Sequence, residues 1–387
     1  MRTAVVALLS ALAAVLLVLG IGHWSGWLGH STRTVVVPEP APEASAAAPA
    51  ANANASGFDP SALYRLRLPG VVTIYSEFGT TEAQGSGFVV TSKGAILTSS
   101  HVITNAADQV GLARPTGASK VFVEFSDHDR VPARIVGWDV FDDVGVIQVD
   151  PKAHALKPVP LGRSATVTVG QPIGVIGSPF GNENSLEVGV VSGIRRSIDS
   201  LTSTYKLADA IQVDAAITHG NSGGPVFDAG GRVIGIAAQI RTDSGQPEGV
   251  GFAVPIDAAR RSLVELLATG RVSYALVGVR TMDLTPTLAK QLGVTAKRGA
   301  LIVKVEPGSG AAHAGLRQGS SEREINGQTV SAGGDVILAI AGRPVQAGED
   351  VARIVTEDLR PRQIVRVTIL RDGRRLVVPV RLGSRQA

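Results

Sequence analysis

Residues 63–255 form a succession of short β-type runs separated by glycine, proline, asparagine and aspartate. Representative runs are VVTIY (71–75), GSGFVV (85–90), DVGVIQV (143–149), LEVGVVSGI (186–194) and RVIGIAAQI (232–240). Many short strands at fairly even spacing are typical of a barrel or a sandwich and not of βαβ units. The 45 glycines, 21 prolines and 4% aromatic residues favour the same turn-rich, mainly β fold.

The chain of 387 residues is long enough for two domains, because one domain averages about 150 residues. Residues 257–269 place apolar side chains near helical spacing and predict a helix with Asp257 as its N-cap and Gly270 as its C-cap. After this helix the pattern starts afresh, with β-type runs framing two helical segments, near 311–316 and 349–359. We therefore predict a β domain over 58–270 and a smaller α/β domain over 271–387.

The N-terminal segment has the composition of a membrane anchor. Residues 4–22 are 19 residues without a charge, close to the roughly 20 that cross a hydrocarbon core. Trp24 and Trp27 follow, at the depth of the lipid headgroups. We expect an N-terminal transmembrane helix within 1–30, with a cleaved signal peptide as the alternative, and both imply that the rest of the chain is exported. Residues 31–57, rich in proline and alanine, are expected to be an extended linker.

Composition excludes several functional classes. The net charge of +4 is small, and the basic residues are not clustered with the aromatic stacking partners that a nucleic-acid site needs. The absence of cysteine excludes disulfides, thiolate nucleophiles and cysteine-ligated zinc. We expect the protein to require no metal and no organic cofactor.

The sharpest local motif is GNSGGP, residues 220–225. Glycines on both sides of Ser222 allow a tight turn that exposes the serine hydroxyl and lets backbone amides converge beside it. The amides of Gly220 and Ser222 are the natural pair to stabilise a tetrahedral oxyanion. An ordinary glycine-rich turn is the alternative, but the position of the motif between two β-type runs favours a nucleophilic serine.

A nucleophilic serine requires a base, and His101 is the best candidate among seven histidines. It follows an apolar run at the point where the chain leaves a strand, whereas His219 is too close to Ser222 on the same loop to reach its hydroxyl in the required direction. A buried carboxylate must hold the imidazole in the right tautomer. Asp143, which adjoins the run VGVIQV, is preferred to Asp142, which we expect to be a solvated turn residue. The chain order His101, Asp143, Ser222 is one of the orders in which this triad is assembled.

Eight motifs in a fitting order make residues 63–383 resemble the HtrA (Deg) family of trypsin-like serine proteases with a C-terminal PDZ domain. The motifs are GSGFVV (85–90), LTSSHVI (97–103), DDVGVIQV (142–149), GSPFG (177–181), VVSGI (190–194), DAAITHGNSGGPVFD (214–228), GRVIGI (231–236) and GVGFAVP (249–255). The resemblance implies a chymotrypsin-like double β-barrel of six strands each, with the active site in the cleft between the barrels. It assigns His101 as general base, Asp143 as orienting carboxylate and Ser222 as nucleophile.

The same resemblance implies a substrate preference. Ala216 stands where trypsin-like specificity keeps a carboxylate, so a small or aliphatic P1 residue is expected instead of arginine or lysine. The residues expected to pair with the substrate backbone are Ile236, Ala237 and Ala238. Asn221 replaces the aspartate with which digestive relatives bind a newly cut amino terminus, so activation by that ion pair is not expected.

The C-terminal segment resembles a PDZ domain, most specifically in GALIVKVEPGSGAAHAGL (299–316) and GGDVILAIAGRPV (333–345). Family position implies that backbone amides of one loop hold a peptide C-terminus while the peptide adds a strand, and an ordinary apolar strand is the alternative. The residues of this carboxylate-binding loop are Leu276, Val277, Gly278 and Val279. The insertion near 317–333 is expected to be a surface excursion.

These observations predict a membrane-tethered serine endopeptidase on the extracytoplasmic side, acting on misfolded or regulatory exported proteins. The resemblance implies a homotrimer, and it implies that peptide capture by the C-terminal module orders the polar loop 195–205. Two functions of other classes are the alternatives: a PDZ adaptor on an inactive protease scaffold, and a chaperone-like holdase.

Overall fold

The computed structural model describes residues 57–108, 110, 115–178, 185–218, 220–238 and 250–386. Within these ranges no helix has both the length and the apolar character needed to cross a membrane. The predicted anchor, nearly all of the predicted linker and His219 lie outside the described residues.

Six short antiparallel strands build the first barrel. They are β1 (Val71–Phe78), β2 (Thr81–Val89), β3 (Ala95–Thr98), β4 (Lys120–Glu124), β5 (Arg130–Asp139) and β6 (Val144–Val149). The barrel closes in the order β1-β2-β3-β6-β5-β4. Because alternate side chains of a strand point to the same side, Ile74, Ile96 and Ile147 meet inside the barrel, where each is fully buried.

Two short helices accompany this barrel. Helix α1 (Pro60–Arg67) precedes β1, and the carboxylate of Asp59 caps it by accepting a hydrogen bond of 3.0 Å from the amide of Ala62. Helix α2 (Ser100–Ile103) follows β3 directly and carries His101. The chain therefore places His101 at the mouth of the barrel, just beyond the end of a buried strand.

A second closed barrel repeats this architecture. Its strands are β7 (Pro172–Gly177), β8 (Ser185–Asp199), β9 (Lys206–Val213), β10 (Pro225–Asp228), β11 (Val233–Ala238) and β12 (Gly251–Pro255), in the order β10-β11-β12-β9-β8-β7. The predicted pair of six-stranded barrels is confirmed. The expected loop 195–205 is corrected, because β8 continues through Asp199 and only 200–205 form the turn before β9.

Helix α3 (Ile256–Thr269) closes the barrel pair. Its apolar face, with Leu263 and Leu266, joins a core cluster to which both barrels contribute, including Leu97 of the first and Phe227 of the second. The predicted C-cap is confirmed, since Gly270 has a left-handed φ of 71°. The predicted N-cap is wrong: the helix begins one residue earlier, so its cap is Pro255 and Asp257 lies in the first turn.

The C-terminal segment folds around a mixed set of strands and short helices. The strands are β13 (Ser273–Leu276), β14 (Val279–Leu284), β15 (Gly299–Val305), β16 (Ser321–Ile325), β17 (Gln328–Ala332), β18 (Val336–Ile340), β19 (Arg343–Pro344), β20 (Ile364–Arg371), β21 (Arg374–Arg381) and β22 (Gly383–Gln386). The helices are α4 (Pro286–Leu292), α5 (Gly310–His313) and α6 (Gly348–Asp358). The main sheet has the order β14-β15-β18-β20-β21, with β19 beside β18, while β13 pairs with β22 and β16 pairs with β17. The insertion is therefore an ordered hairpin, β16–β17.

The connection between the barrels and this module is buried. Val272 and Tyr274 pack in the core shared by the barrels, whereas Ala275 and Val277 pack in the core of the C-terminal module. The start of this short segment thus packs in one core and its end in the other, so the module is joined to the barrels by packed side chains.

Candidate active site

The carboxylate of Asp143 is held by three partners from α2. Its Oδ2 lies 2.8 Å from Nδ1 of His101, while its Oδ1 accepts hydrogen bonds from the His101 amide at 3.1 Å and from the Ser100 hydroxyl at 2.8 Å. The Asp143 backbone carbonyl also accepts from the Ser100 amide. Asp143 is only 4% exposed, so its charge acts on the imidazole with little competition from water. This geometry fixes both the orientation and the Nδ1–H tautomer of His101.

The same contact changes the acidity of the imidazole. Burial of His101 disfavours its charged form, but the negative charge of Asp143 and the hydrogen bond to it act in the opposite direction and outweigh burial. The pKa of His101 is consequently raised above its ordinary value of 6.5. A base with this environment accepts a proton readily.

The loop that carries Ser222 is fastened to the first barrel. Ser86 of β2 donates its amide to the Ser222 carbonyl at 2.8 Å and its hydroxyl to the Gly220 carbonyl at 2.6 Å. At Gly223, which has a φ of +85°, a Cβ atom would come within 2.3 Å of both the Ser86 carbonyl and the Thr98 hydroxyl. Thr98 ends β3, two residues before α2. Only glycine permits this approach, and the approach brings the serine loop beside the base of the His101 helix.

The backbone around Ser222 leaves two donors available. The Asn221 amide donates to the Thr218 carbonyl, and the Gly223 amide donates to the Ala237 carbonyl at 2.8 Å. Within the described ranges, neither the Gly220 amide nor the Ser222 amide has an acceptor. These are the two amides expected to stabilise an oxyanion, and they are free to bind one.

The structure brings His101 and Asp143 into direct contact and places Ser222, 4% exposed, on the facing loop. Among the described residues, no hydrogen bond joins the Ser222 hydroxyl to the His101 ring. Catalytic hydrogen bonds are often long in unliganded enzymes and shorten when substrate binds.

The residues expected to bind substrate differ in whether their backbone groups are already paired within the barrel. Ala216 is exposed, and its carbonyl accepts a hydrogen bond from the Asn221 side chain at 3.2 Å. Ile236 pairs with Pro225 on one side and Val254 on the other, and both backbone groups of Ala237 are bonded to Gly223 and Gly224. The expectation that Ile236 and Ala237 pair with substrate is therefore corrected, because neighbouring strands already occupy their backbones.

Ala238 has a different position. It is the last described residue of β11 and pairs with Phe252 on the β12 side. Among the described residues, β10 pairs with β11 only as far as Ile236, so Ala238 has no strand partner on that side.

A buried polar cluster lies next to the Asp143 carboxylate, and the sequence did not predict it. Asp142 is not a solvated turn residue: its Oδ2 lies 2.5 Å from Arg261 and 2.8 Å from the Tyr274 hydroxyl, and its side chain is 15% exposed. Asp139, fully buried, accepts hydrogen bonds from Tyr274 and from Ser262 at 2.7 Å. Burial and the charge of Asp142 raise the pKa of Asp139 to about 6. The available signal was the pair of acids before the β6 run together with an arginine, Arg261, next to the buried Ser262 of α3.

Aromatic rings extend this cluster to the end of the chain. Phe141 makes edge contacts with Tyr205 and Tyr274 at 5.5 Å between ring centroids, and the Arg385 guanidinium lies 3.8 Å from the centroids of Phe141 and Tyr205. The Thr202 hydroxyl donates to the backbone of the same turn, at Val140, with a distance of 2.6 Å. The turn before Asp143 therefore contacts the turn 200–205 and strand β22.

The predicted carboxylate-binding loop joins β13 to β14. Leu276 ends β13, Val279 begins β14, and Gly278 between them has a φ of +83°. The carbonyls of Val277 and Gly278 accept hydrogen bonds from Ala311 and Glu306, which fixes the loop against the start of α5. Within the described part of the chain, the amides of Val277 and Gly278 donate to no acceptor, so they are available to a carboxylate.

Comparison with known proteins agrees with this geometry. The family model for a trypsin-like peptidase domain matches residues 85–236, and the model for a PDZ domain matches residues 275–382. Protease Do-like 1, chloroplastic, of Arabidopsis thaliana is 36% identical over 78% of this chain and 64% of its own length. The putative serine protease HhoA of Synechocystis sp. is 35% identical over 78% of this chain and 71% of its own length.

A solved structure of the HtrA-type protease AlgW with a tripeptide is 30% identical, with a TM-score of 0.69 over 84% of this chain and 97% of the other. The chain spans about two thirds or less of several of its curated relatives, including 64% of the Arabidopsis protein and 56% of a probable periplasmic serine endoprotease DegP-like of Pseudomonas savastanoi pv. phaseolicola. The two barrels, the module that follows them and these similarities show that the chain belongs to the HtrA family of trypsin-like serine proteases with a C-terminal PDZ domain.

Proposed function

We propose that the protein is a serine endopeptidase in which Ser222 is the nucleophile, His101 the general base and Asp143 the residue that orients His101. The observation that carries this proposal is the Asp143 carboxylate on Nδ1 of His101, opposite a serine loop in which the Gly220 and Ser222 amides have no acceptor among the described residues. The arrangement is what acyl transfer requires.

The reaction follows from the roles of these groups. The Ser222 hydroxyl attacks the scissile carbonyl carbon while its proton passes to Nε2 of His101, and Asp143 stabilises the imidazolium that forms. The amides of Gly220 and Ser222 donate to the oxyanion of the tetrahedral intermediate. His101 then gives its proton to the leaving amine, an acyl-enzyme remains on Ser222, and water completes the hydrolysis by the same steps.

The substrate-binding surface supports a small or aliphatic P1 residue. Ala216 offers no counter-charge for an arginine or lysine side chain. Ala238, at the end of β11, is the residue of the predicted set with which the substrate backbone is expected to pair. The substrates are expected to be misfolded or regulatory exported proteins.

The location and assembly of the enzyme are part of the same proposal. The apolar segment 4–22 anchors the chain in the cell membrane, and the linker 31–57 holds both domains on the extracytoplasmic side. A homotrimer is proposed by family resemblance. The experiment that tests the anchor is fractionation of the full chain with and without residues 1–30, since only the full chain is expected in the membrane fraction.

The C-terminal module is proposed to capture free peptide C-termini and thereby to raise activity. Two observations support this role: the amides of Val277 and Gly278, which have no acceptor in the described part of the chain, and the solved structures of AlgW with a tripeptide and with a decapeptide. The contacts of Arg385 and Thr202 with the turn before Asp143 provide a physical route by which the module and the turn 200–205 act on the triad. A ligand shifts such an equilibrium only by its difference in affinity for the two states.

One experiment separates the enzyme from its alternatives. Degradation of an unfolded test protein by the chain and by its Ser222→Ala variant is compared, with and without peptides that differ only in a free or an amidated C-terminus. An endopeptidase loses degradation in the variant, and module capture makes only the free carboxylate stimulate it. An adaptor would degrade the test protein neither as the unsubstituted chain nor as Ser222→Ala. A holdase would suppress aggregation of the test protein equally well with and without the substitution.

A further inference from the structure

A cavity of about 330 Å³ lies in the C-terminal module, between the end of β14, helix α4 and the inserted hairpin β16–β17. Four of its ten lining residues are apolar, namely Met282, Leu288, Ile325 and Val330, and the others are polar. The hairpin is held over α4 by a hydrogen bond of 3.3 Å between the Gln291 and Asn326 side chains. Val330 is 1% exposed, so the hairpin contributes a buried wall as well as a surface loop.

Strand β14 connects this cavity to the loop proposed to hold a carboxylate. Val279 follows Gly278 directly, and β14 then runs to Leu284 beside the cavity. β14 is at the end of its sheet, and among the described strands only β15 pairs with it. An extended peptide anchored at Gly278 would therefore add to the open edge of β14 and run towards the cavity.

The two faces of β14 are occupied differently. Thr281 and Asp283 face the start of α6, where the Gly348 amide donates to Asp283 at 2.7 Å and a Cβ on Gly348 would lie 2.9 Å from the Thr281 hydroxyl. Met282 and Leu284 face the other way, into the apolar cluster that includes side chains of α4 and of the hairpin. Residues directly opposite each other in an antiparallel pair point to the same face, so a peptide residue opposite Met282 points towards the cavity.

Taken with the proposed capture of peptide C-termini, on which this step rests, these contacts define a second subsite. We propose that the cavity under the hairpin binds a medium-sized apolar side chain of the captured peptide, from the residue about three positions before the C-terminal residue. When the C-terminal residue lies beside Val279, this upstream residue lies opposite Met282. Asp283, the one charged residue among the described lining residues, directs its carboxylate to the Gly348 amide, so Met282 and Leu288 provide the apolar wall that favours an apolar side chain. The insertion thus selects peptides by their sequence upstream of the C-terminus.

The test measures binding of labelled peptides with free carboxylates to the full chain carrying Ser222→Ala, which prevents cleavage. One extended peptide has leucine at the position opposite Met282, and a second has asparagine there. A third, short peptide has the same C-terminal residues but is truncated at its N-terminus, so it lacks that position. We expect about tenfold tighter binding of the leucine peptide than of the asparagine peptide, from the burial of one apolar side chain.

Filling the cavity provides the decisive variant. Gln328→Trp, at an exposed position that lines the cavity, is expected to abolish the preference for leucine while leaving the short peptide unaffected. Thr329→Trp is the matched control, because Thr329 is an exposed neighbour on the same strand and does not line the cavity. If Gln328→Trp also weakens the short peptide, Thr287→Trp fills the cavity from α4 instead.

The outcomes separate this proposal from the one on which it rests. Equal binding of the leucine and asparagine peptides, or a preference that survives filling of the cavity, overturns the subsite while capture of the short peptide stands. If the short peptide binds no better with a free carboxylate than with an amidated end, capture at Gly278 is wrong and the subsite falls with it.

Discussion

The hydroxyl of Tyr274 lies 2.8 Å from Oδ2 of Asp142, the residue immediately before Asp143. Tyr274 belongs to β13, the first strand after the barrels, so a residue of the C-terminal module also supports the turn that carries the proposed catalytic carboxylate. Arg261 of α3 completes the contact, with distances of 2.5 Å to Asp142 and 3.0 Å to the Tyr274 hydroxyl. The position of the module and the position of Asp143 are therefore linked through one buried side chain.

Tyr274→Phe tests this link. The ring still fills its place, but the buried carboxylates of Asp139 and Asp142 lose the one hydroxyl donor that they share, so we expect the free energy of unfolding to fall by about 1–3 kcal/mol. We also expect kcat to fall with little change in KM, because the turn before Asp143 loses support. Tyr205→Phe, in the same ring cluster but with 47% of the residue exposed, is the control for urea unfolding and peptidase assays. Equal effects of the two substitutions would contradict a role for the Tyr274 hydroxyl.

Asp143→Asn and Asp142→Asn distinguish the two adjacent acids. Only Asp143 bonds to the His101 ring, so its amide variant is expected to stabilise the wrong tautomer and to lower kcat by about 10⁴-fold with the fold retained. Asp142 bonds to Arg261 and Tyr274, so Asp142→Asn is expected to lower the free energy of unfolding, while its kcat falls much less than that of Asp143→Asn. Steady-state kinetics and thermal unfolding of both variants decide the matter, and the reverse pattern would exchange the assignments.

The pH dependence of kcat/KM follows from the raised pKa of His101. His101 acts as a base only when it is neutral, so activity is expected to fall as the pH drops through a pKa above the ordinary 6.5. In Asp143→Asn the negative charge is lost while burial remains, so the acid limb of the residual activity should move to lower pH. A limb that stays in place in this variant would show that another group controls it.

Asp139 makes stability depend on pH. Its pKa is raised from 3.8 to about 6 in the folded protein, so its contribution to stability is fully present below pH 3.8 and is lost as the pH rises through about 6. Asp139→Asn carries no such charge, and its free energy of unfolding should fall less over that interval than that of the unsubstituted chain. Denaturant unfolding at several pH values measures this, with the exposed Asp150→Asn as control. Parallel curves for all three proteins would mean that Asp139 does not titrate in this range.

Cleavage-site profiling tests the assignment of Ala216. The unsubstituted chain is expected to prefer small or aliphatic P1 residues, and Ala216→Asp should shift the preference towards arginine and lysine by placing a carboxylate at the base of the pocket. Ala216 is exposed, so the added charge is not expected to prevent folding. A preference for basic P1 residues before substitution would show that another carboxylate reaches the pocket.

The sequence by itself determined the strand pattern, the tight turn around Ser222 and the position of His101 at the end of a strand. It also carried the motifs of two domains. These features are local: turn residues, alternation of apolar side chains and the tight turn around a serine depend on neighbours along the chain. For the same reason the sequence favours Asp143 over Asp142 as the partner of His101, since Asp143 adjoins the run that forms β6, and in the structure its carboxylate lies 2.8 Å from the His101 ring.

Only the tertiary structure decided what surrounds those residues. Asp142 is expected from its sequence to be solvated, but Arg261, more than a hundred residues further along the chain, packs against it and removes it from water. The family resemblance implies that Ile236 and Ala237 lie on a substrate-binding strand, yet in the closed barrel their backbones pair with Pro225, Val254 and the serine loop. The insertion forms a wall of a cavity because the apolar side chains of its hairpin pack against α4. Such pairings depend on which distant surfaces meet when the cores form, and no local pattern records that.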